Sequence, residues 1–343
     1  MNKSIRILIS FLISIVAIGA IALGVYFYVH SDYEYEPVRV EIPEGTPADS
    51  IPQILRDALG KSFGQKVAHL WKASGANAAT AHGSYLVEPG DKAVDVAKRI
   101  AKGRQTPVKL TFNNIRLFSD LAARVAATME FDSTVFMAAA DSVLSSRGFR
   151  PETFSAAVLP DTYEFYWTAS PQKVISVLAD HRADFWNDSR RAKASALGLE
   201  PTDVHTIASI VEEESNKADE RPVIARLYMN RLAKHMPLQA DPTVKFATGD
   251  FGLRRIGREQ ISYDSPYNTY MYQGLPPGPI RIVEGATLDA VLNAPENDYL
   301  YMCAKSDFSG YHDFTDNYAR HRINAARYHR ALTARGTRLF HLR

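Results

Sequence analysis

Apolar positions along the chain fall into three patterns. From Ile7 to Val29 they run almost unbroken over about the length that crosses a bilayer. From Val38 to Phe112 they come in short alternating or amphipathic bursts, and from there onward they recur mostly at helical spacing between glycine, proline and tyrosine-rich breaks. Lys3 and Arg6 precede the first run, while Asp32, Glu34 and Glu36 follow it. The positive-inside rule then predicts a cytoplasmic tail over 1–6, a single-pass anchor over 7–29, a tether over 30–37 and everything beyond on the outer face. Tyr26, Phe27 and Tyr28 fall where an interfacial aromatic belt belongs. A cleavable signal peptide is the competing reading, but its apolar core would be shorter, and no small-x-small cleavage site stands before the acidic segment.

Between residues 38 and 111 two similar units follow one another. VRVEIPEGTPADSIPQIL (Val38 to Leu55) and SYLVEPGDKAVDVAKRIAKG (Ser84 to Gly103) each run from a strand through a Pro/Glu/Gly turn into an amphipathic helix. Gly45 and Gly90 suit the turns, and Thr46 and Asp91 are candidate N-caps. With the helical stretch SFGQKVAHLWKASG between them, the order strand, helix, helix, strand matches sugar-binding LysM modules. It equally matches a small α+β spacer.

The remainder, 112–343, reads as helices linked by loops. Ser119 is a candidate cap, and Gly148 closes the helix of DSTVFMAAADSVLSSRG. LPDTYEFYWTAS (Leu159 to Ser170) reads as an aromatic loop or strand pair. Its rings interleaved with Asp161 and Glu164 have the composition of a carbohydrate groove, or of a loop pinned by core aromatics. One long helix is predicted from Ser170 to Gly198. Pro201-Thr202-Asp203 then opens a helix carrying Glu212, Glu213 and Glu214 in succession. With Ile207 as origin on a helical wheel, Glu214 lands about 20° away in the apolar stripe, while Glu212 and Glu213 point towards the polar flanks. A carboxylate on the docking face is either the end of a buried salt bridge or a proton donor with a raised pKa. Pro222 sits in the first turn of the next helix, where proline is tolerated. A loop (MPLQADPTVKFATG) and the proline-locked DSPYNTYMYQGLPPGPI follow, then a strand at YLYMCAK and a closing helix.

Composition narrows the chemistry. A hydrophobic content of 46% with 23% charged residues describes a globular protein of two or three domains. The net charge of +2, with basic residues dispersed, leaves no footprint for nucleic acid. The lone Cys303 permits no internal disulfide and lies in an apolar strand, where packing is its expected role. His312, His321 and His329 match no standard metal-ligand spacing, and no nucleotide or nucleophile-elbow motif stands in a suitable context. No cofactor or metal is expected. What remains is acid–base chemistry by one helix-borne glutamate facing loops of tyrosine and amide side chains, a combination that suits glycoside cleavage.

The order of IASIVEEES, RLYMNRL, LQADPTV, SPYNTY, GLPPGPI and YHDFTDNYARH, with GSYLVEPG and LPDTYEF upstream, resembles the MltG-type (YceG-like) endolytic murein transglycosylases. The resemblance implies an α+β ectodomain: a LysM-like membrane-proximal subdomain (38–111) and a mixed α/β catalytic subdomain (112–343) with a lysozyme-like catalytic helix. It also implies endolytic cleavage of the MurNAc-β-1,4-GlcNAc bond in nascent peptidoglycan strands, leaving 1,6-anhydro ends, at the bacterial inner membrane beside peptidoglycan synthases. A hydrolytic muramidase or a non-catalytic glycan-binding scaffold are the alternatives. The family's catalytic glutamate immediately precedes a Ser or Thr, which here makes it Glu214, before Ser215. Glutamate at 213, where lysine is common in relatives, is a departure, and the wheel places it as a solvated neighbour. Gln239, Asp241, Tyr267, Asn268 and Tyr270, with Asp161 and Tyr163, are the expected sugar contacts. Each is also readable as a loop pin.

Overall fold

A computed structural model of the chain describes residues 3–253 and 256–340, with side chains as far as residue 335. The apolar N-terminal run forms one helix, α1 (Lys3–Val29), which buries none of its residues. Its 27 residues span about 40 Å, more than the roughly 30 Å hydrocarbon core of a bilayer. Its most apolar stretch has a mean hydropathy of 2.7, so by length and composition it is able to cross a membrane. The helix starts inside the segment expected as a tail, of which residues 1 and 2 lie outside the described residues.

Two compact units follow from the packing. The first comprises Met1–Leu110, Thr128–Glu130 and Tyr163–Ser170, and the second Thr111–Ala127, Phe131–Thr162 and Pro171–Arg343.

In the first unit the two strand–turn–helix repeats are β1 (Val38–Ile42) with α2 (Ile51–Leu59), then, after α3 (Lys61–Ala73) and the short α4 (Ala78–Ala81), β2 (Gly83–Val87) with α5 (Ala93–Ala101). The strands pair antiparallel with Val40 opposite Tyr85. Val40, Ile42, Leu55, Trp71, Tyr85, Val96 and Ile100 fill the core between the sheet and the helices. A Cβ on Gly64 would collide with the Leu55 carbonyl, so glycine there lets α3 lie directly on α2. The expected caps are corrected. Both helices begin later, and Thr46 and Asp91 close the preceding turns instead, Thr46 Oγ1 donating to Pro43 O and Asp91 accepting from the Glu88 amide.

The division between the units falls within β3 (Val108–Phe112) and β4 (Asp161–Phe165), the latter a single strand in the aromatic segment. In the second unit, α6 (Phe118–Ala126) starts two residues earlier than a Ser119 cap would set it, so Ser119 lies inside the first turn; Asp120 accepts from the Leu117 amide instead. The helix α7 (Ser133–Ser146) leads to a 3₁₀ turn (Pro151–Ala157). The long helix expected over 170–198 is two, α8 (Pro171–Phe185) and α9 (Asp188–Ala196). Trp186 turns into the core at the break and Asn187 caps the new helix by accepting from the Arg190 amide, a tertiary demand that local periodicity does not carry.

The helix α10 (Pro201–Glu214) is the centre of this unit: every residue from Val204 to Glu212 is buried. It is therefore not an amphipathic surface helix, and a wheel cannot sort its faces into wet and dry. Packed around it are α11 (Arg221–Ala233), α12 (Asp241–Thr248) and, beyond the short α13 (Arg258–Ile261), α14 (Gly285–Leu292). The segment LQADPTV, expected as a loop, supplies the start of α12, with Pro242 in its first turn. An antiparallel pair, β5 (Tyr301–Ala304) and β6 (His312–Thr315), and the final helix α15 (Tyr318–Phe340) complete the unit.

Candidate active site

The three consecutive acids of α10 meet three different environments. The Glu212 side chain is only 5% exposed; it receives Arg281 Nε at 3.1 Å and the Thr287 hydroxyl, with Arg221 4.0 Å away. Glu213, 17% exposed, takes Arg281 at 2.9 Å and Arg116 at 2.9 Å. Glu213 is thus not the solvated neighbour that the wheel suggested, and Glu212 does not lie on a polar flank, because α10 is enclosed by its unit and buried carboxylates need paired cations. Glu214, the last helical residue, makes no ion pair among the described residues and opens on a cavity of about 470 Å³. It accepts a 2.8 Å hydrogen bond from the Tyr228 hydroxyl of α11.

Burial raises the Glu214 pKa from 4.5 to about 7. The Tyr228 hydrogen bond and Lys245 oppose the rise, while Asp241 and Glu213 add to it. The C-terminal end of a helix also disfavours negative charge. Tyr228 itself is held well above the usual phenol range, chiefly by burial, so it stays a donor.

The cavity is walled by α11 residues Tyr228 and Arg231, by Gln239, Asp241 and Tyr270, by β5, and by His312, Tyr318 and His321. Arg231 is a buried strut: it donates to Pro237 O, Leu300 O and Gln239 Oε1, the last at 2.7 Å. Gln239 adopts a positive φ of 52°, held by its amide bonding to Thr269 O, so its side chain is fixed from both ends. Asp241 accepts a 2.6 Å hydrogen bond from the Tyr270 hydroxyl.

Of the expected site residues, Glu214, Gln239, Asp241 and Tyr270 thus share one cavity, and the other four do not line it. Asn268 is fully buried, its amide nitrogen donating to Ile261 O and Tyr263 O at 2.8 Å each; it pins the tyrosine-rich loop. Tyr267 packs its ring on Phe246, centroids 4.7 Å apart. Asp161 pairs with His181 at 3.2 Å, and Tyr163, buried in the first unit, stacks on Phe165. Cys303, expected to be packed away, lines the cavity, and burial pushes its thiol pKa up, which favours the neutral thiol over the thiolate. Tyr228, Arg231 and His312 were not singled out from the sequence as site residues. Tyr228 and Arg231 stand three apart in RLYMNRL, one helical face, and that spacing was the available signal.

A YceG-like family model matches residues 40–327. The chain belongs to the YceG-like family. A Bacillus subtilis protein named endolytic murein transglycosylase is 45% identical over 102 residues, 30% of this chain and 28% of that protein. A Streptococcus pneumoniae protein of the same name is 40% identical over 106 residues, 29% of this chain and 19% of its own length. The matched segments therefore span under a third of these relatives. A crystal structure of a yceG-like protein from Listeria monocytogenes superposes with a TM-score of 0.56 at 26% identity, covering 84% of this chain and 98% of that one.

Proposed function

We propose that the protein is an endolytic murein lytic transglycosylase with Glu214 as its acid and base. The observation that carries this reading is the Glu214 carboxyl itself, poised at about 7 on the wall of a cavity that also presents amide, tyrosine and carboxylate side chains. Protonated Glu214 donates to the glycosidic oxygen as the bond to the muramic C1 breaks and positive charge develops on the ring. The carboxylate then takes the proton of the muramic C6 hydroxyl, whose oxygen bonds to C1 and closes a 1,6-anhydro ring. Protons balance, no water enters, and the intramolecular attack needs no second nucleophile. Gln239, Asp241 and Tyr270 orient the sugars.

The rest of the chain fits that chemistry. The α1 helix is an uncleaved single-pass anchor with a cytoplasmic N-terminus, and the unit after it is a LysM-like module near the membrane. The catalytic unit faces the periplasm or cell exterior, where nascent strands and the synthases that make them are at hand. Cleaving those strands would terminate their elongation.

A hydrolytic muramidase is the second reading, because Asp241 gives the cavity another carboxylate that could activate a water. Digestion of purified, uncrosslinked glycan followed by product mass analysis separates the two. Anhydro-muramic ends support the transglycosylase, and ends heavier by one water support the hydrolase.

A further inference from the structure

The cavity has a wall that the proposed reaction leaves unused. His312 opens β6 and lines the cavity together with Glu214. Its ring is held by Glu220, a carboxylate buried just before α11. Glu220 Oε1 accepts the His312 backbone amide at 2.7 Å, and Oε2 faces Nδ1 at 3.0 Å. The same Oε2 accepts the Ser215 hydroxyl at 3.3 Å, and Ser215 Oγ in turn accepts the Lys217 amide. One buried carboxylate therefore fixes both the residue that follows Glu214 and a side chain of the facing strand.

Both Glu220 oxygens already accept, Oε1 from the His312 amide and Oε2 from the Ser215 hydroxyl, so the ring nitrogen facing Oε2 is the one that carries a proton. In the neutral imidazole that leaves Nε2, on the ring edge away from Glu220, with a lone pair and no hydrogen-bond partner among the described residues, in a side chain that lines the cavity. A ring tied at its backbone amide and at Nδ1 has little freedom to turn the lone pair elsewhere.

We infer that His312 is a substrate-binding residue, its Nε2 accepting a hydrogen bond from an N–H or O–H of a 2-acetamido sugar, with Glu220 as the positioning residue that sets its tautomer. The inference rests on the glycan-cleaving reading above and adds a residue to it.

The replacement Glu220→Gln makes a sharp test. The His312 backbone N–H still requires an acceptor, so the new amide turns its oxygen there and its NH₂ towards Nδ1. The imidazole proton must then move to Nε2, and the acceptor facing the sugar becomes a donor. The experiment measures binding of uncrosslinked glycan strands by calorimetry in the inactive Glu214→Gln background, with ¹⁵N NMR of the imidazoles on the same proteins. We expect the parent to bind and to show an unprotonated Nε2 at His312. His312→Ala should weaken binding about tenfold, the scale of one hydrogen bond. Glu220→Gln should weaken it comparably while showing the proton on Nε2, and His312→Gln, whose amide oxygen reaches about as far as Nε2, should restore part of the loss. Unchanged binding in His312→Ala, or a protonated Nε2 in the neutral ring of the parent, overturns the inference alone. A parent that binds no glycan overturns the proposed function and this inference with it.

Discussion

The Tyr228 hydroxyl donates a 2.8 Å hydrogen bond to Oε1 of Glu214, joining the end of α10 to the middle of α11. This bond favours the carboxylate, against a burial that favours the neutral acid. Tyr228→Phe removes the donor and keeps the burial, so the Glu214 pKa rises further. The alkaline limb of the cleavage–pH profile should move up by roughly one unit, since a hydrogen bond to a charged group contributes about 1.5–3 kcal/mol. Profiles of the two proteins on the same glycan measure it, and coincident limbs would show that Glu214 does not feel the bond.

The raised pKa also has a cost in stability. Glu214 titrates at about 7 in the folded protein against an ordinary 4.5. Between those values the folded protein holds a proton that the unfolded chain has released. Stability from this group is therefore full below about 4.5, declines as pH rises, and is gone above about 7. Glu214→Gln cannot ionise, so it should be more stable than wild type at a pH of about 8, by on the order of 1–3 kcal/mol, and nearly equal to it at about pH 4. Denaturant unfolding at both pH values reads the difference.

Asn268 separates a loop pin from a sugar contact. Its buried amide bonds three backbone carbonyls of the 260–263 turn and accepts the Tyr270 amide. Asn268→Ala leaves those carbonyls without their donor and should lower stability by about 1–3 kcal/mol, visible as a reduced Tm. Glycan affinity measured well below that Tm should stay within about twofold, because no sugar bond is lost.

How much of this was legible in the sequence depended on how local the cause was. The α10 helix announces itself through Pro201 and Asp203, and the two repeats of the first unit through their turn glycines, because caps and turns are short-range chemistry. The fates of Glu212 and Glu213 were hidden. Their guanidinium partners Arg281 and Arg116 lie 68 and 97 residues from Glu213, and only the fold brings them together. The wheel selected Glu214 on the premise of a one-sided helix, yet α10 is buried all round. What distinguishes Glu214 is its place on the last turn, where the helix runs out into the cavity. The tie between His312 and Glu220 spans 92 residues and left no trace in either local segment. Asn268 stayed open between two readings for a related reason: an amide among tyrosines looks the same whether it faces a sugar or its own loop.

The most direct measurement is the yield of anhydro-muramic ends from uncrosslinked glycan treated with purified wild type and with Glu214→Gln. If Glu214 is the acid and base, wild type generates these ends and the variant, folded and bearing the same cavity, generates none above the untreated glycan. Anhydro ends formed by Glu214→Gln at the wild-type rate would contradict the account.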